Sequence, residues 1–233
     1  MGAIIFSRFS SSRLPGKALI DIAGRPMLGR VVDRARRIAG VDRVVVATSS
    51  EASDDVIAEF VETEGVDCYR GDLNDVAARA VGACEAFGLD AFSRICGDRP
   101  FFDPTIDSQL IELFHAHHLD LATTTGKAKV PPGLTGEIVR TATLKQALPH
   151  LSSFDREHVT SRFYAMPGEF KVEAITPPGY LKPDTNVRLV VDDVADLERA
   201  RSIASGLSPS AADMSAVIRL AEQWDTEQRK LIA

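Results

Sequence analysis

The sequence predicts an α/β fold with three layers: a mainly parallel, mixed sheet covered by helices on both faces. Short apolar runs recur at Ile4 to Phe6, Val44 to Thr48, Val66 to Tyr69 and Ala91 to Cys96, and amphipathic stretches of helical period separate them. Such alternation implies right-handed strand-helix-strand crossovers, which place helices on both sides of a parallel sheet. The chain has 233 residues and is 45% hydrophobic, enough to bury the core of one large domain. A single domain over 1–233 is therefore expected, with 127–186 as a less regular region inside it.

The first strand runs directly into Ser7 to Lys17. After it, Ala18 to Ile22 alternates briefly, and Pro26 opens a helix whose Met27, Leu28, Val31, Val32, Ala35 and Ile38 share one face. Arg43 to Thr48 reads as a buried strand; Ser53 or Asp54 caps the next helix, and Gly65 ends it. The cycle repeats with a strand at 66–69, a helix near 74–87 and a strand at 91–96. Pro104 begins a helix bearing Ile106, Leu110, Leu113 and Phe114, and Leu119 to Thr123 is another strand. Past Gly126 the alternation loosens into a loop, Lys127 to Gly133. A strand follows at 136–140, then two short helices, the second over 155–165. Strands are expected at 170–175 and 187–191 around a Pro/Gly loop, Pro177 to Pro183, and helices near 193–205 and 211–223.

Chemistry concentrates in Arg8-Phe9-Ser10-Ser11-Ser12-Arg13-Leu14-Pro15-Gly16-Lys17. Small residues let backbone N–H groups approach an anion, Arg8 and Arg13 offer planar forks for phosphate oxygens, and Lys17 supplies a point charge for terminal phosphates. Ligands of open α/β sheets sit beyond the carboxyl ends of strands, where this loop lies, so it reads as a nucleoside triphosphate site. It is neither G-x-x-x-x-G-K-[ST] nor G-x-G-x-x-G. Phosphoryl chemistry calls for a divalent cation, and Mg²⁺ is usually held by one or two carboxylates with phosphates and water. Asp98 and Asp192, each just past a strand, are the candidate ligands; turn formation and helix capping are the competing reading of both. Arg156-Glu157-His158 could contact a sugar acid, Arg156 pairing its carboxylate, or could be a charged first turn facing solvent. His115, His117 and His118 read as exposed surface, since no carboxylate or Cys stands at ligand spacing.

A net charge of −6 and a pI near 5.4 argue against binding a nucleic acid backbone. Cys68, Cys84 and Cys96 lack C-x-x-C spacing and read as reduced thiols of a cytoplasmic protein. No apolar run approaches the ~20 residues of a membrane span.

The segment from Ile4 to Lys17 resembles the opening of the acidic-sugar cytidylyltransferases, the 3-deoxy-manno-octulosonate and acylneuraminate group, and within it the spore-coat polysaccharide branch. The likeness continues in order through Gly24-Arg25-Pro26-Met27, Val45 to Thr48, Arg94-Ile95-Cys96-Gly97-Asp98, Asp103-Pro104, Arg156 to Thr160 and Val191-Asp192. It implies a nucleotide-diphospho-sugar transferase-like fold and transfer of CMP from CTP to an acidic keto-sugar, with Mg²⁺ as cofactor and a homodimer as the assembly. By position, Arg13, Lys17 and Asp98 would be catalytic, and Asp98 and Asp192 would hold the metal. Arg8, Ser10, Ser11, Gly16, Asn74 and Asp75 would bound the nucleotide. Glu137, Arg156 and His158 would bind the acceptor, making 127–186 an acceptor-side or dimerisation region. Three places depart from the branch: Phe6-Ser7 before Arg8, Arg99 beside Asp98, and Thr135 where an acidic residue is usual. They bear on acceptor and base preference rather than on phosphate binding. Another nucleoside triphosphate, a sugar or alcohol phosphate acceptor, and a catalytically silent nucleotide-binding homologue are the alternatives.

Overall fold

The structure, a computed structural model, describes residues 1–127, 129–182, 184–207 and 213–232. Strand β1 (Gly2–Phe6) leads through the loop and a 3₁₀ turn at Lys17–Leu19 to a small hairpin, β2 (Asp21–Ile22) and β3 (Arg25–Pro26). Then come α1 (Met27–Ala35), β4 (Arg43–Ser49), α2 (Asp55–Thr63), β5 (Asp67–Gly71), α3 (Val76–Phe87), β6 (Ala91–Cys96) and α4 (Pro104–His117). The second half contains β7 (Leu121–Thr123), β8 (Glu137–Arg140), α5 (Thr141–Ala147), α6 (Ser153–Glu157), α7 (Ser161–Ala165), β9 (Val172–Ala174), α8 (Val194–Gly206) and α9 (Met214–Ile232).

Seven strands form one sheet in the order β5-β4-β1-β6-β8-β7-β9. Only β8 runs against its neighbours; every other pairing is parallel, giving the mixed sheet expected from the crossover pattern. Side chains alternate across a strand, so β1 supplies both cores. Ala3 and Ile5 pack with α1, α2, α4, α8 and α9, while Ile4 packs with Phe92, Val139, α3, α5 and Phe163 of α7. Those two cores are the interfaces of a three-layer fold.

Several boundaries differ from the sequence reading. Pro26 pairs in the hairpin in extended conformation and precedes the helix, so Met27 is its first residue. The single helix expected over 155–165 is two short ones. A capping box between Ser152 and Asp155 starts the first, and His158 leaves helical geometry. The segment 187–191 is no strand: Val187, Leu189 and Val191 are buried with the alternation of one, yet their partners are loops. Leu189 N–H donates to the Pro132 carbonyl at 2.9 Å and Val191 N–H to the Asp98 carbonyl at 2.9 Å, so no ladder forms. The last helix begins at Met214; residues 211 and 212, where it was expected to start, lie outside the described residues, as do Ala128 and Pro183 of the two loops.

Candidate active site

At the carboxyl ends of β1 and β6 lies a cavity of about 980 Å³. The loop after β1 forms one wall, Gly97 and Asp98 the next, and α3, the end of α6 and Asp192 complete it. Two backbone features shape the entrance. Gly16 has φ +69 and donates its N–H to the Phe9 carbonyl at 3.1 Å, closing the loop, and a Cβ there would meet the Phe9 ring at 3.0 Å. Gly97 lies against β1, its N–H bonded to the Phe6 carbonyl, and a Cβ would meet that oxygen at 3.0 Å and Ser7 at 2.9 Å.

Asp54 anchors the loop from below. Ser53 or Asp54 was expected to cap the helix; the Asp54 side chain makes no cap bond and instead accepts from Phe9 N–H (2.7 Å), Ser49 N–H (3.0 Å), Thr48 Oγ1 (2.9 Å) and Ser49 Oγ (2.5 Å). Burial pushes its pKa up, but these donors outweigh it and hold the carboxyl below the ordinary value. Among the described residues, the amides of Arg8, Ser10, Ser11, Ser12 and Arg13 have no hydrogen-bond partner. They lie in the wall of the cavity and remain available to an anion.

Lys17, Asp98 and Asp192 converge. The Lys17 ammonium donates to Asp98 Oδ2 (2.9 Å), Asp192 Oδ1 (3.1 Å) and the Val191 carbonyl (2.8 Å). The charge expected on phosphates thus joins the two carboxylates expected on a metal. Arg13 reaches Asp192 at 3.2 Å, and Arg188 pairs with Asp192 at 2.6 Å and with Asp196. Burial raises the Asp192 pKa, but Lys17 first, then Arg13 and Arg188, leave it depressed. Among the described residues no group of three or more His, Cys, Asp or Glu could hold a metal, so a two-carboxylate shelf is what the chain offers. The histidine cluster is no exception: His117 pairs with Glu173, and His118 ends α4 in the left-handed region.

The remaining predicted residues divide. Arg8, Ser10, Ser11 and His158 line the cavity; Gly16 lies behind the wall, and Asn74, Asp75, Glu137 and Arg156 are not part of the lining. Asp75 caps α3 through Ala78 N–H and forms an ion pair with Arg156, clipping α3 to α6. Glu137 is buried beneath the cavity and holds Arg94. Arg99 and Thr135, two separate departures from the branch pattern, meet: Arg99 donates to the Thr135 carbonyl and hydroxyl, both at 2.8 Å.

Glu157 of the Arg156-Glu157-His158 stretch also lines the cavity, as do Arg79 and Arg94, to which no site role was given. The signal existed for the two arginines. Arg94 interrupts an apolar strand and Arg79 an alanine-rich helix, positions where a cation is rare without a task.

Comparison with known proteins places this geometry. The cytidylyltransferase family pattern matches residues 2–206. The chain belongs to the cytidylyltransferase family. It is 29% identical over 208 residues to the spore coat polysaccharide biosynthesis protein SpsF of Bacillus subtilis, covering 86% of this chain and 84% of that one. To the 3-deoxy-manno-octulosonate cytidylyltransferase of Aeromonas salmonicida it is 36% identical over 125 residues, 52% of this chain and 48% of that one. The structure of a cytidylyltransferase from Leptospira borgpetersenii superposes with a TM-score of 0.86 at 26% identity, covering 98% of this chain and 94% of that one. The chain is therefore a nucleotidyltransferase by family, with the family's fold. No helix among the described residues is long and apolar enough to cross a membrane.

Proposed function

We propose that this cytidylyltransferase moves CMP from CTP to a hydroxyl of an acidic keto-sugar and releases pyrophosphate. The observation carrying the proposal is the meeting of Lys17, Asp98 and Asp192 in one cavity with Arg8, Arg13 and a loop of unpartnered amides. In the reaction, the sugar hydroxyl gives its proton to solvent as its oxygen bonds to the α-phosphorus, and the bond from that phosphorus to the β-bridging oxygen breaks. The electron pair leaves with pyrophosphate. Negative charge grows on the α-phosphate and on the leaving group, where Arg8, Arg13 and the amides stabilise it without a covalent intermediate. The shelf fits a divalent cation in its donor chemistry, because the carboxylates of Asp98 and Asp192, from separate segments, converge on one point now held by the Lys17 ammonium. Asp98 and Asp192 would hold Mg²⁺, which when bound neutralises and orients the phosphates. The likeness to the acidic-sugar enzymes supports the acceptor class and a homodimer, and use of CTP suits a cytoplasmic protein.

The test is pyrophosphate release from CTP and Mg²⁺ with a panel of sugar acids that includes 3-deoxy-manno-octulosonate. Turnover with at least one acid is expected, abolished by EDTA and reduced about 100-fold or more by Asp98→Ala. Titration of the four triphosphates should rank CTP tightest. Silence with every acid, or a clear purine preference, overturns the reading. Light scattering of the eluted protein should give the mass of two chains.

A further inference from the structure

Arg94 stands near the end of β6, paired with Ile4 in the middle of the sheet, and its side chain reaches the cavity beside Cys96. Its Nη1 donates to Glu137 Oε2 at 2.8 Å. The other Glu137 oxygen accepts from Thr160 Oγ1 at 2.9 Å and from the Tyr164 hydroxyl at 2.6 Å, and Tyr164 in turn meets Thr123 Oγ1 at 2.8 Å. One cation is thus fixed by groups on β8, on β7 and around α7. Burial lowers the Arg94 pKa, but Cys96 and Glu137 raise it by more; burial raises that of Glu137, but Arg94 and the two hydroxyls leave it depressed. Both groups stay ionised.

The network leaves part of the guanidinium unengaged. Nε is buried with no partner, and Nη2 makes no hydrogen bond among the described residues. Nε is shut off from solvent, so Nη2 is the donor left for an arriving oxygen. The place of Arg94 tells what should arrive. Arg79 stands on α3, which packs on β5 and β4, the acidic shelf meets Lys17 at the end of the loop, and Arg94 stands on β6 beside β8, where Glu137 holds it. Arg156, the sequence's choice for an acid, is already paired with Asp75 and is not part of the lining.

We propose that Arg94 binds the carboxylate of the acceptor, and that Glu137, Thr160 and Tyr164 are positioning residues that hold it there. The proposal rests on the acceptor's being an acidic sugar. Sugar acids and their uncharged, reduced counterparts are titrated by calorimetry into the protein saturated with α,β-methylene CTP and Mg²⁺. The wild type is expected to bind an acid at least about 30-fold more tightly than its counterpart, the worth of a charge-assisted pair. Arg94→Gln should remove that difference, and Arg94→Lys should restore part of it. Affinity for the counterpart and for the CTP analogue should stay within about threefold in both. Glu137→Gln should weaken only the acid, a selectivity that a purely structural role would not produce. If Arg94→Gln strands Glu137 and fails to fold, the double variant with Glu137→Gln removes both charges together and is read in its place. Equal loss for acid and counterpart, an unchanged acid affinity, or no acid binding by the wild type overturns the proposal. Failure of the CTP analogue to bind the wild type counts against the nucleotide reading instead, and the acid titrations are then read on the free protein by the same criteria.

Discussion

At the scale of single residues, Asp54 does more for the site than its exposed neighbours. Four donors from β4 and the loop converge on it, so the path of Ser7 to Gly16 depends on a carboxylate that never touches the cavity. Asp54→Asn places an amide N–H₂ among donors and is expected to cost about 2–3 kcal/mol in urea denaturation. CTP affinity, read by calorimetry, should fall about tenfold or more as the loop loses its anchor. The stabilisation from this depressed pKa is present above pH ~4 and is lost as the pH falls through the folded value. Arg99 and Thr135 make the same point about pairs: each is odd alone in the sequence, and together they form one contact.

At the scale of elements, the clip between α3 and α6 positions the wall that carries Glu157 and His158. A five-residue helix such as α6 has little stability of its own, and its Ser152 capping box leaves its far end to be fixed by tertiary contacts. Arg156 fixes it through Asp75 and the Leu148 carbonyl. Asp75→Asn keeps an acceptor for Ala78 N–H but loses the ion pair; half-exposed pairs contribute little, so stability should fall by under about 1 kcal/mol. Asp75→Ala loses the cap as well and should cost about 1 kcal/mol more. In steady-state kinetics both should raise the acceptor KM more than the CTP KM. An effect confined to CTP would place Asp75 at the nucleotide, as the family resemblance implied.

At the scale of the whole molecule, one buried acid between sheet and helix tunes stability with pH. Asp107 of α4 is buried in the core, accepts from Ser93 Oγ at 2.5 Å, and burial pushes its pKa up to about 7 despite that bond. The unfolded chain releases this proton near pH 4, so its stabilising contribution is whole below about pH 4 and is lost as the pH rises through about 7. Asp107→Asn keeps the bond without the charge. Its melting temperature relative to wild type should be flat below about pH 4 and climb by about 5 °C or more between pH 4 and pH 8, measured by calorimetry across pH. The layered fold around this residue was legible because strand and helix periods alternate clearly, and the phosphate loop because its cations and small residues are contiguous. The strand expected at 187–191 was misread because alternating burial does not reveal whether backbone partners are strands or loops. Sequence alone determined the strand-helix alternation of the first half, the cationic loop and the two acidic positions, since these are properties of neighbours along the chain. Tertiary structure alone decided that Lys17 joins Asp98 to Asp192, that Arg156 is engaged by Asp75, and that Arg94 stands in the cavity upon Glu137. Those pairings unite residues dozens to well over a hundred positions apart, and only the crossing of the sheet brings their charges within reach.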